Sequence, residues 1–219
     1  MATTATDLRA ASELARLHLV TPAGDAGAVV GAVGDVLAGG APLVQLRCKA
    51  GSDRERWSVA EMVSERCRRA GARLVVNDRA DVARAVGADG VHVGDDDLPV
   101  AAVRRVLGPS AVVGATCRTP EAARRAEAEG ATYLGVGPAY ATSTKAGLPQ
   151  PLGPAGVGRV AMAVAIPVIA VGGVTAARVP ELLDVGCHGV AVSAAVFAAP
   201  DLRAATEELV AALDGWRQR

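Results

Sequence analysis

The chain has 219 residues, 51% of them hydrophobic but only 2% aromatic. That is long enough for one domain with a sizeable core, which must be built from Ala, Val and Leu. Lys and Arg together number 23, as do Asp and Glu, which excludes a general nucleic-acid or anionic-membrane surface and leaves charge to act locally.

Residues 1–14 read as a leading helix or a flexible N-terminus. Short apolar runs then recur: "LHLVT" at Leu17, "LVQLRCK" at Leu43, "RLVVND" at Arg73 and "GVHVG" at Gly90. They continue with "AVVGATC" at Ala111, "YLGVGP" at Tyr133, "PVIAVGG" at Pro167 and "GVAVSAA" at Gly189. Their length and β-branching predict eight strands. The segments between them carry helix signals. "SDRERWSVAEMVSERCRRAG" opens on a capping Ser52 and stops at Gly71, and "TPEAARRAEAEG" has Thr119 as cap, Pro120 at the first helical position and Gly130 at the end.

Eight strand–helix alternations without a linker predict a single α/β domain over residues 1–219, a (β/α)8 TIM barrel with a parallel eight-stranded core. An open doubly wound sheet is the alternative, but the first turn lacks a G-x-G-x-x-G fingerprint. Cys48, Cys67, Cys117 and Cys187 form no C-x-x-C pair, so they read as reduced thiols of a cytoplasmic protein. The N-terminus resembles no signal peptide, and no stretch reaches the ~18 uncharged apolar residues of a membrane span.

In a barrel the chemistry gathers where the strands end. Gln45, Arg47 and Lys49 alternate in "QLRCK", so period 2 puts all three on one strand face. There they either grip an anion, Arg bidentately and Lys as a point charge, or pair with nearby acids on a solvated strand end. Asp78 and Asp97 follow adjacent strands. Such a pair suits Mg²⁺ completed by water and substrate phosphate, although Asp97 is also placed to cap the next helix. Asp96 reads as a solvated or capping acid.

Thr142, Ser143, Thr144 and Lys145 lie in a loop framed by glycines and prolines, suited either to phosphate oxygens or to ordinary turn bonding. Gly172 and Gly173 end the seventh run and Ser193 the eighth, where barrels commonly hold a phosphate; a tight turn is the plainer use of the glycines. His18, His92 and His188 lack metal spacing and read as structural. No Ser-His-Asp or Cys-His arrangement stands out. The rim thus suggests two anion sites and two small phosphorylated substrates, with no nucleic-acid or membrane partner and with a homo-oligomer left open.

Taken in order, these motifs resemble the thiamine-phosphate synthase family along nearly the whole chain. "QLRCK" resembles its Q-L-R-x-K, "VVNDRADVARAVGADGVHVG" its N-D-R stretch and G-V-H-x-G strand, "GVGPAYATSTKAGLPQPLG" its G-P-x-x-x-T-x-T-K loop, and "IPVIAVGGVT" its G-G turn. The resemblance implies that Gln45 reads an aminopyrimidine. It implies that Arg47, Lys49, Asn77, Thr116 and Lys145 hold that ligand's diphosphate, with Arg47, Lys49 and Lys145 acting catalytically. Asp78 and Asp97 would hold the Mg²⁺ cofactor, and Thr142, Ser143, Thr144, Gly172, Gly173, Ser193 and Ala194 the thiazole phosphate. The implied reaction joins the two substrates into thiamine phosphate and releases pyrophosphate.

Three positions depart from the family pattern: Asp95 stands where Gln is usual, Thr116 where Ser is usual, and Ala194 where Ser is frequent, with Ser193 one position earlier. Asp95 would put an extra negative charge near a diphosphate. The sister thiazole tautomerases resemble the chain too, but their catalytic histidine would fall near Arg118, in "GATCRTPE", which has none. A non-catalytic barrel that binds a thiamine precursor is a further alternative.

Overall fold

A computed structural model describes residues 14–142, 144 and 147–217. Eight strands alternate with helices. The order is β1 (Leu17–Val20), α1 (Ala26–Ala38), β2 (Leu43–Leu46), α2 (Asp53–Ala70), β3 (Arg73–Asn77), α3 (Ala80–Ala85), β4 (Gly90–Val93) and α4 (Val100–Leu107). It continues with β5 (Val112–Cys117), α5 (Pro120–Ala128), β6 (Tyr133–Val136), α6 (Gly153–Ala161), β7 (Val168–Val171), α7 (Val179–Asp184), β8 (Gly189–Val192), α8 (Ala194–Phe197) and α9 (Leu202–Arg217). All neighbouring strands are parallel and β1 pairs with β8, so the sheet closes as the sequence predicts. No described helix is long and apolar enough to cross a membrane.

The helix signals act as read. Ser52 and Glu55 form a reciprocal capping box, and Gly71 ends α2 in the left-handed region at φ 68°. Thr119 caps α5 through the amide of Ala122. The larger apolar cluster lies between sheet and helices and is dominated by Val and Leu. A smaller one fills the barrel interior with Leu14, Leu43, Val75, Val112, Tyr133, Ile169 and Ala191. Room for the one large ring comes from glycine: a Cβ on Gly114 would lie 2.2 Å from Tyr133 Cζ.

At the end opposite the strand C-termini, the side chains of Arg16 and His188 tie the segment before β1 to the start of β8 and to α9. Arg16 donates from Nε to the His188 carbonyl (2.9 Å) and from Nη1 to the Leu213 carbonyl (3.0 Å). His188 Nε2 bonds the Leu14 carbonyl at 2.9 Å, the structural role expected of it.

Candidate active site

One cavity of about 280 Å³ opens at the C-terminal ends of the strands. Gln45, Arg47, Lys49, Asn77, Asp78, Asp97, Thr116, Thr142, Thr144, Gly172, Gly173, Ser193 and Ala194 all line it. Ser143 and Lys145 lie outside the described residues.

The β2 side differs in one respect from its expected form. The strand stops at Leu46, so Arg47 and Lys49 sit on the following loop. They still face the cavity because the Thr21 hydroxyl accepts from the Arg47 backbone N–H at 2.9 Å, carrying the extended path past the strand end. Gln45 is buried and donates from Nε2 to Asn77 Oδ1 at 2.8 Å. That bond fixes both amides and leaves the Gln45 carbonyl and the Asn77 amino group for a ligand. Lys49 pairs with Asp78 at 2.8 Å. Arg47 makes no ion pair among the described residues and remains a cation in want of an anion.

Asp78 occupies the left-handed region at φ 66°, a conformation that Asp tolerates better than most residues. Its N–H donates to the His92 carbonyl at 2.8 Å. Burial holds the Asp78 carboxyl above the usual carboxylate range; Lys49 opposes the shift and the facing Asp97 carboxylate adds to it. Asp97 does not cap a helix, since the cap position of α4 is Pro99. Its Oδ2 instead accepts from the Gly94 N–H at 2.7 Å, which folds the carboxylate back toward Asp78.

Two carboxylates driven together against mutual repulsion form a donor set suited to a hard divalent cation. Among the described residues no group of three or more His, Cys, Asp or Glu side chains could hold a metal, so remaining ligands would come from water and substrate. Asp95 and Asp96 are exposed and do not line the cavity. The carboxylate at the unusual position is therefore solvent-exposed and outside the cavity lining.

The β6–β8 side is built from backbone. Gly172 and Gly173 have φ 94° and 65°, and a Cβ on Gly173 would lie 2.6 Å from the Ala141 carbonyl. Glycine is thus required both for the turn and for close approach of the loop after β6. The turn's carbonyls are occupied: Val171 by Ala139 N–H (2.8 Å), Gly172 by Tyr140 N–H (3.0 Å) and Gly173 by Arg178 Nη1 (2.5 Å). The Arg178 guanidinium also stacks on the Tyr140 ring at 4.2 Å, and the Tyr140 hydroxyl donates to Glu181 at 2.5 Å. Thr142 and Thr144 bond each other at 3.1 Å, so turn bonding and cavity lining coexist in this loop.

His92 exceeds the structural role read for it, because it lines the cavity and bonds the Thr116 hydroxyl through Nε2 at 3.0 Å. His18 and Tyr133 line the floor. Burial lowers His18 to about 3 and His92 to about 4, so both imidazoles are neutral. The inward phase of "GVHVG" could have flagged His92; nothing local to "YLGVGP" flags Tyr133.

A closed parallel barrel with polar side chains gathered at its C-terminal rim defines an enzyme of the (β/α)8 class. The model of the thiamine monophosphate synthase family matches residues 17–196. A thiamine-phosphate synthase of Salinispora arenicola is 52% identical over 206 residues, covering 92% of this chain and 99% of that protein. One of Chloroflexus aurantiacus is 43% identical, covering 89% and 90%. The solved thiamine phosphate pyrophosphorylase from Pyrococcus furiosus superposes with a TM-score of 0.83 at 34% identity, covering 92% of this chain and 96% of that one. The chain belongs to the thiamine monophosphate synthase family, and its activity class is that of a thiamine-phosphate synthase, a transferase.

Proposed function

We propose that the chain joins a hydroxymethylpyrimidine diphosphate to a thiazole phosphate, with Mg²⁺ at Asp78 and Asp97. The observation that carries this reading is one cavity with two differently built anion walls. Arg47, Lys49 and a carboxylate pair form one, and a glycine turn with loop hydroxyls forms the other. A bound Mg²⁺ would neutralise diphosphate charge and make it a better leaving group.

Gln45 and Asn77 orient the aminopyrimidine and the near phosphate. Arg47 and Lys49, with Lys145 from the loop, stabilise charge as the methylene C–O bond breaks. The pyrimidine amino group feeds electrons to the resulting cation. The thiazole nitrogen then donates its lone pair to the methylene carbon, and pyrophosphate departs. Gly173, Thr142, Thr144 and the Ser193–Ala194 backbone hold the thiazole phosphate so that this nitrogen faces the carbon. No protein base is needed, which agrees with neutral, buried His18 and His92. Arg118, where a tautomerase would place its histidine, is engaged by the carbonyls of Gly137 (2.6 Å) and Gln150 (2.8 Å) and does not line the cavity. The free thiols support a reducing, cytoplasmic setting.

The test is a synthase assay with both substrates and Mg²⁺, read by oxidation of thiamine phosphate to fluorescent thiochrome. Product that disappears with EDTA is expected. Binding of both substrates without product would overturn catalysis in favour of a precursor-binding barrel.

A further inference from the structure

The barrel interior beneath the cavity holds a polar chain that the mechanism above does not use. The Tyr133 hydroxyl lies 3.0 Å from His92 Nδ1, and His92 Nε2 lies 3.0 Å from Thr116 Oγ1. Thr116 lines the cavity on the wall that carries the diphosphate-binding residues. The three side chains come from β6, β4 and β5, and glycine makes their approach possible. A Cβ on Gly114 would lie 2.5 Å from His92 Nδ1, and one on Gly135 would lie 2.8 Å from His92 Cε1.

The direction of the chain follows from proton accounting. Tyr133 is 1% exposed, and His92 Nδ1 is its hydroxyl's hydrogen-bond partner among the described residues. If Nδ1 carried the proton, Tyr133 would accept and its own O–H would be left buried and unpaired, which is costly. Tyr133 therefore donates to Nδ1. A neutral imidazole then carries its proton on Nε2 and donates to Thr116 Oγ1. With an oxygen lone pair so occupied, the Thr116 proton is turned toward the cavity.

We infer that Tyr133 and His92 are positioning residues that order the protons so that Thr116 presents its O–H as a donor to the departing diphosphate. This rests on the function proposed above. A donor aimed where charge develops contributes to the rate rather than to ground-state binding. The order also accommodates Thr at position 116, since only the hydroxyl is used.

Two measurements test it. In protein labelled with ¹⁵N-histidine, long-range ¹H–¹⁵N correlation spectra report the tautomer directly. His92 is expected as the Nε2–H form, and Tyr133→Phe is expected to release it into a mixture. An Nδ1–H form in the unsubstituted protein overturns the inference, whether or not the protein makes thiamine phosphate. The second measurement is a double-mutant cycle. Tyr133→Phe, which keeps the ring, should lower kcat about tenfold with KM for both substrates within about twofold. Thr116→Val should lower it at least as much, and adding Tyr133→Phe to Thr116→Val should cost nothing further. Losses that multiply in the double variant would show that Tyr133 acts independently of Thr116 and would sink the relay. An unsubstituted protein without synthase activity would sink the proposed reaction alone, leaving the tautomer to decide the proton order.

Discussion

The Lys49 ammonium stands 2.8 Å from Asp78 Oδ2, a link between the loop after β2 and the residue that follows the adjacent strand β3. Asp78 is also opposed by the Asp97 carboxylate, so two acids face each other with one ammonium paired to the first. That arrangement has a place for a second, divalent charge. We expect Asp97→Asn to keep the acceptor for the Gly94 N–H, and with it the fold. It should lower Mg²⁺-dependent turnover at least 100-fold. Asp97→Ala should lose the same activity and about 1 kcal/mol of stability besides. A magnesium titration of each variant checks this, and full activity in Asp97→Ala would remove the metal assignment.

His18 and His92 make stability depend on pH. Their folded pKa values, about 3 and about 4, lie below the ordinary 6.5. The unfolded chain therefore binds more protons between those values. Stability is intact above about pH 6.5 and falls as pH drops toward 4. At pH 5.5 the two together should cost on the order of 2–3 kcal/mol. Denaturant unfolding at pH 7.5 and 5.5 measures the drop, and His18→Leu should shrink it. An unchanged difference in that variant would mean that other groups carry the acid sensitivity.

Gly114→Ala places a methyl group 2.2 Å from Tyr133 Cζ and 2.5 Å from His92 Nδ1. Both rings would have to move toward the cavity that they line, breaking the bond between them. A loss of about 3 kcal/mol or more is expected, visible as a lowered melting temperature. A variant as stable as the parent would show that the interior is looser than this packing requires.

Arg178 touches no ligand position directly, yet it holds the Gly173 carbonyl and the Tyr140 ring together. Arg178→Ala should therefore loosen the wall assigned to the thiazole phosphate and spare the opposite one. The expected result is a KM for the thiazole phosphate raised about tenfold, with KM for the pyrimidine diphosphate nearly unchanged. Equal changes in both would argue for general destabilisation.

Asp95 is exposed and does not line the cavity. Restoring the family's usual residue with Asp95→Gln should leave kcat and KM within about twofold. A large gain would show that its charge reaches the diphosphate after all.

Much of this was legible in the chain. The eight apolar runs marked the strands, and Ser52 and Thr119 marked helix starts, because caps and strand alternation are local properties. Gln45, Arg47 and Lys49 were found by period 2 even though the strand ends at Leu46; Thr21, a tertiary partner, prolongs the pattern. Whether Asp97 served a metal or a helix cap was not local, since both begin with an acid before a helix. The bond to Gly94 decides against the cap. Tyr133 and His92 stand 41 positions apart, and only barrel closure over Gly114 and Gly135 makes them neighbours. The Arg178–Tyr140–Glu181 clasp joins the loop after β6 to the start of α7, and neither sequence carries a sign of the other.

The bonds from Arg16 to the His188 and Leu213 carbonyls, with the pairing of β1 on β8, bear on how the chain leaves the ribosome. β1 cannot complete its pairing until β8 has been made. Until then its unpaired edge, and the edge of whichever strand came last, stay open to other chains. A nascent barrel of this kind depends on prompt completion, and a stalled chain ending before Gly189 would expose two edges where the closed barrel has none.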